Sequence, residues 1–323
     1  MNSQQVLITS SYLAPGDAVY DQLTSAGCDV VYSRPQDRHG VSNHLRDALK
    51  NADAVIAGTE PFGSDEFAEA LHLKIIARTG VGYDNIDLDA ATQHGVTVCT
   101  TPGANANAVA ELTLGLMLDC ARSISQSRQR VVTGEWEQVS GTELSGTKLG
   151  VIGLGAIGRR VTVLARAIGM SVCAYDKLFD SAFLSEHHVE PVSMDELMRT
   201  SDFITLHVGL TPETVNLIGA PELGRMKSNA VVINTSRGGI VDEVALANAI
   251  REGVVGGAGL DVLAREPAEA GNDLMGLEKC IITPHIAGAT RQARGESGRM
   301  AADQVIKHFN GESVPFPATL ENE

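Results

Sequence analysis

Apolar residues recur along the 323-residue chain in short β-rich runs, separated by stretches with helical periodicity. The runs in roughly the first hundred residues are "VLITS" (Val6 to Ser10), "CDVVYS" (Cys28 to Ser33), "ADAVIAG" (Ala52 to Gly58), "LKIIAR" (Leu73 to Arg78) and "VTVCT" (Val96 to Thr100). Strands of this length with helices between them predict parallel β-α-β units, and so one small doubly wound sheet. From about Ala106 to Arg130, small and apolar residues such as Ala108, Leu112, Leu116 and Met117 fall at three- and four-residue spacing. This predicts a long helix packed on an extensive partner, either a domain crossing or a subunit interface. Beyond the turn-rich "TGEWEQVSGTELSGTK" a second strand series begins: "LGVIG" from Leu149, "SVCAYD" from Ser171, "DFITLH" from Asp202, "AVVIN" from Ala230, "GAGLD" from Gly257 and "CIIT" from Cys280. That series predicts the six-stranded sheet of a dinucleotide-binding domain. A last helix, about Ala289 to Phe309, lies beyond it, positioned to return to the first domain.

Length and charge sharpen the picture. A chain of 323 residues exceeds the size, about 250–300 residues, at which single cores stop growing, so two domains are expected. The formal charge of −15 repels a phosphate backbone, which argues against nucleic-acid and anionic-membrane partners. A small anionic substrate then needs a local cationic pocket. The start, "MNSQQVLITS", lacks the charged and apolar regions of a signal peptide, and Glu111 and Asp119 interrupt the most apolar helical stretch. Five scattered cysteines without a C-x-x-C argue against a disulfide framework or a thiolate zinc site. A cytoplasmic protein with reduced thiols is expected. No metal site is expected either, because the adjacent His187 and His188 cannot share one face of a helix or strand.

The segment "VIGLGAIGRR", Val151 to Arg160, carries the first chemical signal. G-x-G-x-x-G alone is weak evidence, but here Gly153, Gly155 and Gly158 follow an apolar strand, and Ile157, Val161, Leu164 and Ile168 then recur at helical spacing. Gly153 permits the tight turn, Gly155 lets backbone approach a pyrophosphate, and Gly158 lets helix and strand pack closely. Ala156 and Ile157 complete this cofactor-binding turn. Asp176, closing the next strand, is placed to accept both ribose hydroxyls and to repel a 2′-phosphate, so NAD is expected over NADP; Lys177 beside it weakens that preference slightly.

Ligands of open α/β sheets lie beyond the carboxyl ends of the strands. Arg237 follows "VVINTS", Glu266 follows "GLDVLAR" and His285 follows "CIITP", so one sheet edge collects a cation, a carboxylate and an imidazole. Hydride transfer to a 2-keto acid needs these parts: a guanidinium for the carboxylate and carbonyl, a histidine as acid and base, and a carboxylate to raise the histidine pKa. Ser236 has no G-x-S-x-G elbow around it, which argues against hydrolase chemistry.

The stretches "ARTGVGYDNIDLDAATQHGVTV", "GVIGLGAIGRRV", "INTSRGGIVDE", "GLDVLAREP" and "TPHIAGAT" resemble the D-isomer-specific 2-hydroxyacid dehydrogenase family along almost the whole chain. The resemblance implies that Arg237, Glu266 and His285 are the catalytic trio, and that His207, Thr235 and Asp261 join the cofactor site, Asp261 on the nicotinamide carboxamide. Arg78 and the amides around Val81 and Gly82 would bind the substrate together with Arg237 and His285. It further implies a split substrate domain, 1–103 and 290–323, of flavodoxin-like form, with a Rossmann NAD domain, 104–289, inserted into it and the active site in the cleft between them. With the long helix it implies a homodimer. The nearest branch looks like 3-phosphoglycerate dehydrogenases, through "SGTELSGTKLG", "LTPETVNLIG" and "RTGVG", in a short form lacking a C-terminal regulatory domain. Where that branch places an arginine after the third strand, this chain has Gly58 and Glu60, and Trp136 is followed by Glu137 and Gln138. These departures disfavour a phosphate ester. The expected reaction is hydride transfer between NAD and a small D-2-hydroxy acid, with hydroxypyruvate, glyoxylate, sulfonated or phosphonated lactates and phosphoglycerate all open as its keto or hydroxy partner. The rival from another class is a non-catalytic, NAD-responsive dimeric scaffold. A formate-dehydrogenase-like activity is disfavoured by the presence of Glu266.

Overall fold

The computed structural model describes residues 3–33 and 43–318. The chain divides into two compact units, Met1–Asn105 with Thr290–Glu323, and Ala106–Ala289.

In the first unit, strands β1 (Gln5–Ile8), β2 (Asp29–Tyr32), β3 (Ala54–Ala57), β4 (Ile75–Arg78) and β5 (Thr97–Cys99) form one parallel sheet in the order β2-β1-β3-β4-β5. This is the flavodoxin-like order, with its switch point between β1 and β3. Registers such as Val6 with Ala54 and Val30 hold the pairs. Helices on both faces exclude water, so β3 and β4 are buried at every residue, which is why they read as unbroken apolar runs. The Arg291–Phe309 helix closes one face although its sequence is mostly polar. Its buried stripe is made of small residues, Ala293, Ser297, Gly298, Ala301 and Ala302, ending in Val305. A methyl on Gly298 would lie 2.8 Å from Val19, so the stripe brings this helix close against the Ala18–Ser25 helix. Thr290 caps it by accepting from the Ala293 amide at 3.1 Å.

The second unit contains β6 (Lys148–Ile152), β7 (Ser171–Tyr175), β8 (Val189–Pro191), β9 (Phe203–Leu206), β10 (Val231–Asn234), β11 (Gly257–Leu260) and β12 (Cys280–Ile282). All pair in parallel, in the order β12-β11-β10-β9-β6-β7-β8, which is the doubly wound dinucleotide topology with one strand added at the β12 edge. Six strands are expected from the sequence and seven form. The one without a sequence signal, β8, has only three residues and includes Pro191; it survives because it lies at the sheet edge, where a missing N–H costs no ladder bond.

The single long helix expected to Arg130 is instead two. Ala106–Arg122 ends at Ser123, whose φ of 50° is left-handed, and Ile124–Val132 follows. Asp119 stabilises the break by accepting from the Ser125 amide at 2.8 Å and its hydroxyl at 2.7 Å, a local alternative that serine and aspartate offer to helix continuation. The first of these helices packs on β10, β11 and the Ala156–Ala167 helix, with a methyl on Gly259 already 3.1 Å from Leu116. The second buries none of its residues within this chain.

Candidate active site

The β6 strand runs into the glycine turn and the Ala156–Ala167 helix at the point where the strand order reverses between β6 and β9. Gly153 has φ +92°, and a Cβ there would lie 2.5 Å from the His207 carbonyl oxygen. A Cβ on Gly158 would meet the Gly153 carbonyl at 2.0 Å. Both positions therefore exclude any side chain for internal reasons. Gly155, the helix N-cap, differs: a Cβ there meets nothing within 4 Å. Open space above an uncapped helix N-terminus is where a pyrophosphate would rest, so the glycines fit a dinucleotide one by one. Ala156 and Ile157 form the first helical turn behind this opening. Asp176 follows β7 and braces the same turn, Oδ2 accepting from the Leu154 amide at 2.5 Å and Oδ1 from the Leu178 amide at 3.0 Å.

His207 lies just past β9, its backbone against Gly153. Its Nε2 is 2.9 Å from the Thr205 hydroxyl, and burial pushes its pKa down to about 3, so the ring is neutral. Its Nδ1 is buried with no partner among the described residues. Thr235 follows β10, and its hydroxyl lies 2.9 Å from that of Thr113, which donates to the Val109 carbonyl at 2.8 Å. The Thr113 proton being used, Thr235 is the donor in that pair, and its hydroxyl can only accept from a ligand.

The turn after β10 is built by Asn234, which is 2% exposed. Its amide donates to the Arg237 carbonyl at 2.8 Å, and its Oδ1 accepts from the Ser236 amide and hydroxyl at 3.0 and 2.8 Å. Arg237 Nη1 in turn donates to the Ser236 carbonyl at 2.9 Å. The next residue, Gly238, packs on the loop after β11: a Cβ would lie 1.9 Å from the Leu263 carbonyl. That contact joins the turn of Arg237 to the loop carrying Glu266.

Glu266 and His285 meet, with Nδ1 of the histidine 2.8 Å from Oε2 of the glutamate. Glu266 Oε1 accepts from the Leu263 amide at 3.1 Å. Partial burial pushes the Glu266 carboxyl up, but the hydrogen bond and charge of His285, the Leu263 amide and the charge of Arg237 outweigh it and hold the carboxyl below its ordinary value. His285 and Arg237 thus both act electrostatically on Glu266. His285 itself adopts φ +54°, a left-handed conformation uncommon outside glycine and of the kind concentrated at functional sites.

Asp261 sets that conformation. Its carboxylate is 1% exposed and accepts from the Thr283 hydroxyl at 2.5 Å, the Ile286 amide at 2.9 Å and the Ala287 amide at 2.7 Å, while its carbonyl accepts from the His285 amide at 2.8 Å. A nicotinamide carboxamide would have to share a carboxylate already engaged by the histidine loop. The stretch "INTSRGG" contains Asn234, Ser236 and Gly238, but only the fold shows what each one braces.

In the first unit, Arg78 ends β4 with 8% exposure, its Nη1 3.2 Å from where a Cβ on Gly80 would stand. The loop continues through Val81, exposed, and Gly82, and is pinned by Thr101, whose amide donates to the Gly80 carbonyl at 2.9 Å. Among the described residues neither the Val81 nor the Gly82 amide donates a hydrogen bond, leaving both for an anion. No three histidine, cysteine, aspartate or glutamate side chains among the described residues gather in a way that could hold a metal ion.

The sequence model of the D-isomer specific 2-hydroxyacid dehydrogenase family, NAD binding domain, matches residues 114–287. The chain is similar to a D-3-phosphoglycerate dehydrogenase of Methanocaldococcus jannaschii, 42% identical over 283 residues, which cover 86% of this chain and 54% of that enzyme. It is similar to a glyoxylate reductase of Korarchaeum cryptofilum, 37% identical, covering 83% of this chain and 82% of that one. The chain therefore spans about half the length of the phosphoglycerate dehydrogenase but most of the glyoxylate reductase. Among solved structures, a D-lactate dehydrogenase from Aquifex aeolicus, in complex with NAD and lactic acid, superimposes with a TM-score of 0.82 at 29% identity, covering 95% of this chain and 96% of that one.

Proposed function

The chain belongs to the D-isomer-specific 2-hydroxyacid dehydrogenase family, and from that premise we propose that it reduces a small 2-keto acid to the D-2-hydroxy acid, and runs the reverse oxidation, with NAD as cofactor. The observation that carries this reading is the 2.8 Å contact between His285 Nδ1 and Glu266 Oε2 at the same sheet edge as Arg237 and the glycine turn. When bound at that turn, the nicotinamide supplies or accepts the hydride. The residues of the chain do the rest. Arg237 binds the substrate carboxylate and polarises the carbonyl. Glu266 holds the Nδ1 proton of His285, so the Nε2 proton is the one delivered to the carbonyl oxygen as it becomes an alkoxide. In oxidation, neutral Nε2 takes the hydroxyl proton. Arg78 and the free amides of Val81 and Gly82 bind the substrate carboxylate from the first unit, which is assigned to the substrate, the second to NAD.

Asp176 supports a preference for NAD, since its carboxylate lies just past β7 beside the turn and a 2′-phosphate would face it. A homodimer is supported by an apolar surface the chain leaves open: Leu118, Ile124, Val131, Val132, Trp136 and Val139 are all exposed, Trp136 by 88%. Such a cluster in one short stretch suits a self-complementary interface. No helix among the described residues is long and apolar enough to cross a membrane. All five cysteines are free thiols, and burial pushes Cys99, Cys120 and Cys280 up to about 12, which suits a reducing cytoplasm. The test follows NADH absorbance with a panel of 2-keto acids. Turnover with at least one is expected; tight NADH binding with no turnover on any would instead make the protein a cofactor-responsive scaffold.

A further inference from the structure

The carboxyl edge of the first unit's sheet holds a buried acid that the proposed chemistry does not use. Glu60 follows β3 at the switch point between β1 and β3 and is only 8% exposed. Its Oε1 accepts from the Thr9 hydroxyl and from the Gly58 amide at 3.0 Å. The Ile56 carbonyl, within reach of the same hydroxyl, is already served by the Thr9 amide at 3.1 Å, so the hydroxyl proton is free to go to the glutamate. Among the described residues Oε2 accepts no hydrogen bond. It lies over Gly58, where a Cβ would be 2.8 Å from it and 3.3 Å from Ser10 Cα. Gly58 and Glu60 are therefore a matched pair: the missing side chain at the first is the space taken by the carboxylate of the second.

The same segment is fastened to the loop that starts at Arg78. The Asn85 amide donates to the Glu60 carbonyl at 2.5 Å, the Phe62 amide donates to the Asn85 carbonyl at 2.9 Å, and Phe62 bridges to Ile86. Thr79 Oγ1, one residue past Arg78, donates to the Ala57 carbonyl at 2.9 Å and lies 3.4 Å from the Ser10 hydroxyl. Glu60 thus borders the segment that carries the Val81 and Gly82 amides, unpaired among the described residues.

We infer that Glu60 is a specificity-determining residue: it selects a 2-keto acid whose C3 substituent is a hydrogen-bond donor, a hydroxyl, and rejects one carrying a phosphate or other anion there. This rests on the reading of the 78–82 loop as the substrate carboxylate site. With the C1 carboxylate on that loop, the far end of a three-carbon acid would extend toward Glu60, whose segment Thr79 and Asn85 fasten to the loop. An unpartnered carboxylate oxygen accepts from a hydroxyl at little cost, whereas a phosphate brought against it juxtaposes like charges in a poorly solvated place. The prospective substrate is a 3-hydroxy-2-keto acid and the product its D-2,3-dihydroxy acid.

The test measures kcat/KM of wild type and Glu60→Gln for NADH oxidation with hydroxypyruvate, glyoxylate and 3-phosphohydroxypyruvate. In wild type, hydroxypyruvate is expected to exceed the phosphorylated acid by about 100-fold or more, since like-charge juxtaposition is among the costlier recognition errors. Glu60→Gln keeps an acceptor but loses the charge: hydroxypyruvate falls a few-fold, glyoxylate, too short to reach the residue, changes less, and the phosphorylated acid rises about tenfold. Equal changes on all three would mark Glu60 as a purely structural brace and overturn the inference. So would a wild type preferring the phosphorylated acid, an arm that needs no variant to fold. Turnover of glyoxylate alongside that preference would leave the dehydrogenase reading standing while the role of Glu60 falls; no turnover on any of the three would overturn the role of Glu60, and no turnover on the wider keto-acid panel would sink the dehydrogenase reading as well.

Discussion

Asp261→Asn tests how the catalytic loop is held. The carboxylate takes three donors from residues 283–287, two on Oδ1 and one on Oδ2, with no access to water. An amide keeps one acceptor oxygen and presents N–H groups at the other position. Its less costly orientation turns the nitrogen toward the Ala287 amide, so one buried N–H loses its acceptor and the two remaining bonds lose their charge. With charge-assisted hydrogen bonds worth about 1.5–3 kcal/mol and a stranded donor costing about 1–3 kcal/mol, the variant should lose about 2–4 kcal/mol of unfolding free energy. That is a large part of the roughly 5–15 kcal/mol that holds a domain together, yet leaves it folded. Because the same loop holds His285 at φ +54°, any relief moves the imidazole, and a shift of about 1 Å costs about 100-fold in kcat. Urea unfolding of the apo protein, kcat with a saturating keto acid and NADH affinity by fluorescence quenching separate the effects. Unchanged stability and kcat with weakened NADH binding alone would refute the loop-holding role and leave Asp261 a nicotinamide contact only.

Two further perturbations probe the site's electrostatics and its turn. The folded-state pKa of Glu266 is depressed, so its contribution to stability is present above the unfolded value of about 4.3 and is lost as pH falls through the folded value. The stability gap between wild type and Glu266→Gln should therefore shrink as pH falls below about pH 4 in denaturant titrations; a gap that holds constant through that fall would contradict the pairing. Gly155→Ala and Gly158→Ala should fail differently. A methyl at Gly158 strikes the Gly153 backbone and should cost about 1–3 kcal/mol or more. One at Gly155 meets only open space, so thermal stability should hold while NADH affinity falls; retained affinity in a stable Gly155→Ala would place the pyrophosphate elsewhere.

The features legible in the sequence are those in which one residue type answers one local demand. Gly153, Gly155 and Gly158 could be read because only glycine meets a positive φ, an open anion site and a backbone contact in that order. Arg237, Glu266 and His285 could be read because each lies in the loop beyond a strand's carboxyl end, where topology gathers distant residues. What the sequence hid depends on geometry across the fold. Strand β8 has too few residues for a periodicity and owes its existence to the neighbouring β7. The helix break at Ser123 is invisible in apolar spacing because Asp119, not a proline or glycine, stabilises it. The bracing roles of Asn234 and Asp261 appear only once the loops they tie are folded against them. Glu60 reads in the sequence as a missing arginine; its meaning changes when the carboxylate is seen lying across Gly58.

On the proposed mechanism His285, oriented by Glu266, moves the proton that accompanies hydride transfer. Single-turnover oxidation of prebound NADH by a 2-keto acid, compared between wild type and His285→Ala, measures that step alone. The rate should fall by about 10²- to 10⁴-fold with the NADH dissociation constant unchanged. A rate within a few-fold of wild type, or a loss of NADH binding that accounts for the whole deficit, would contradict it.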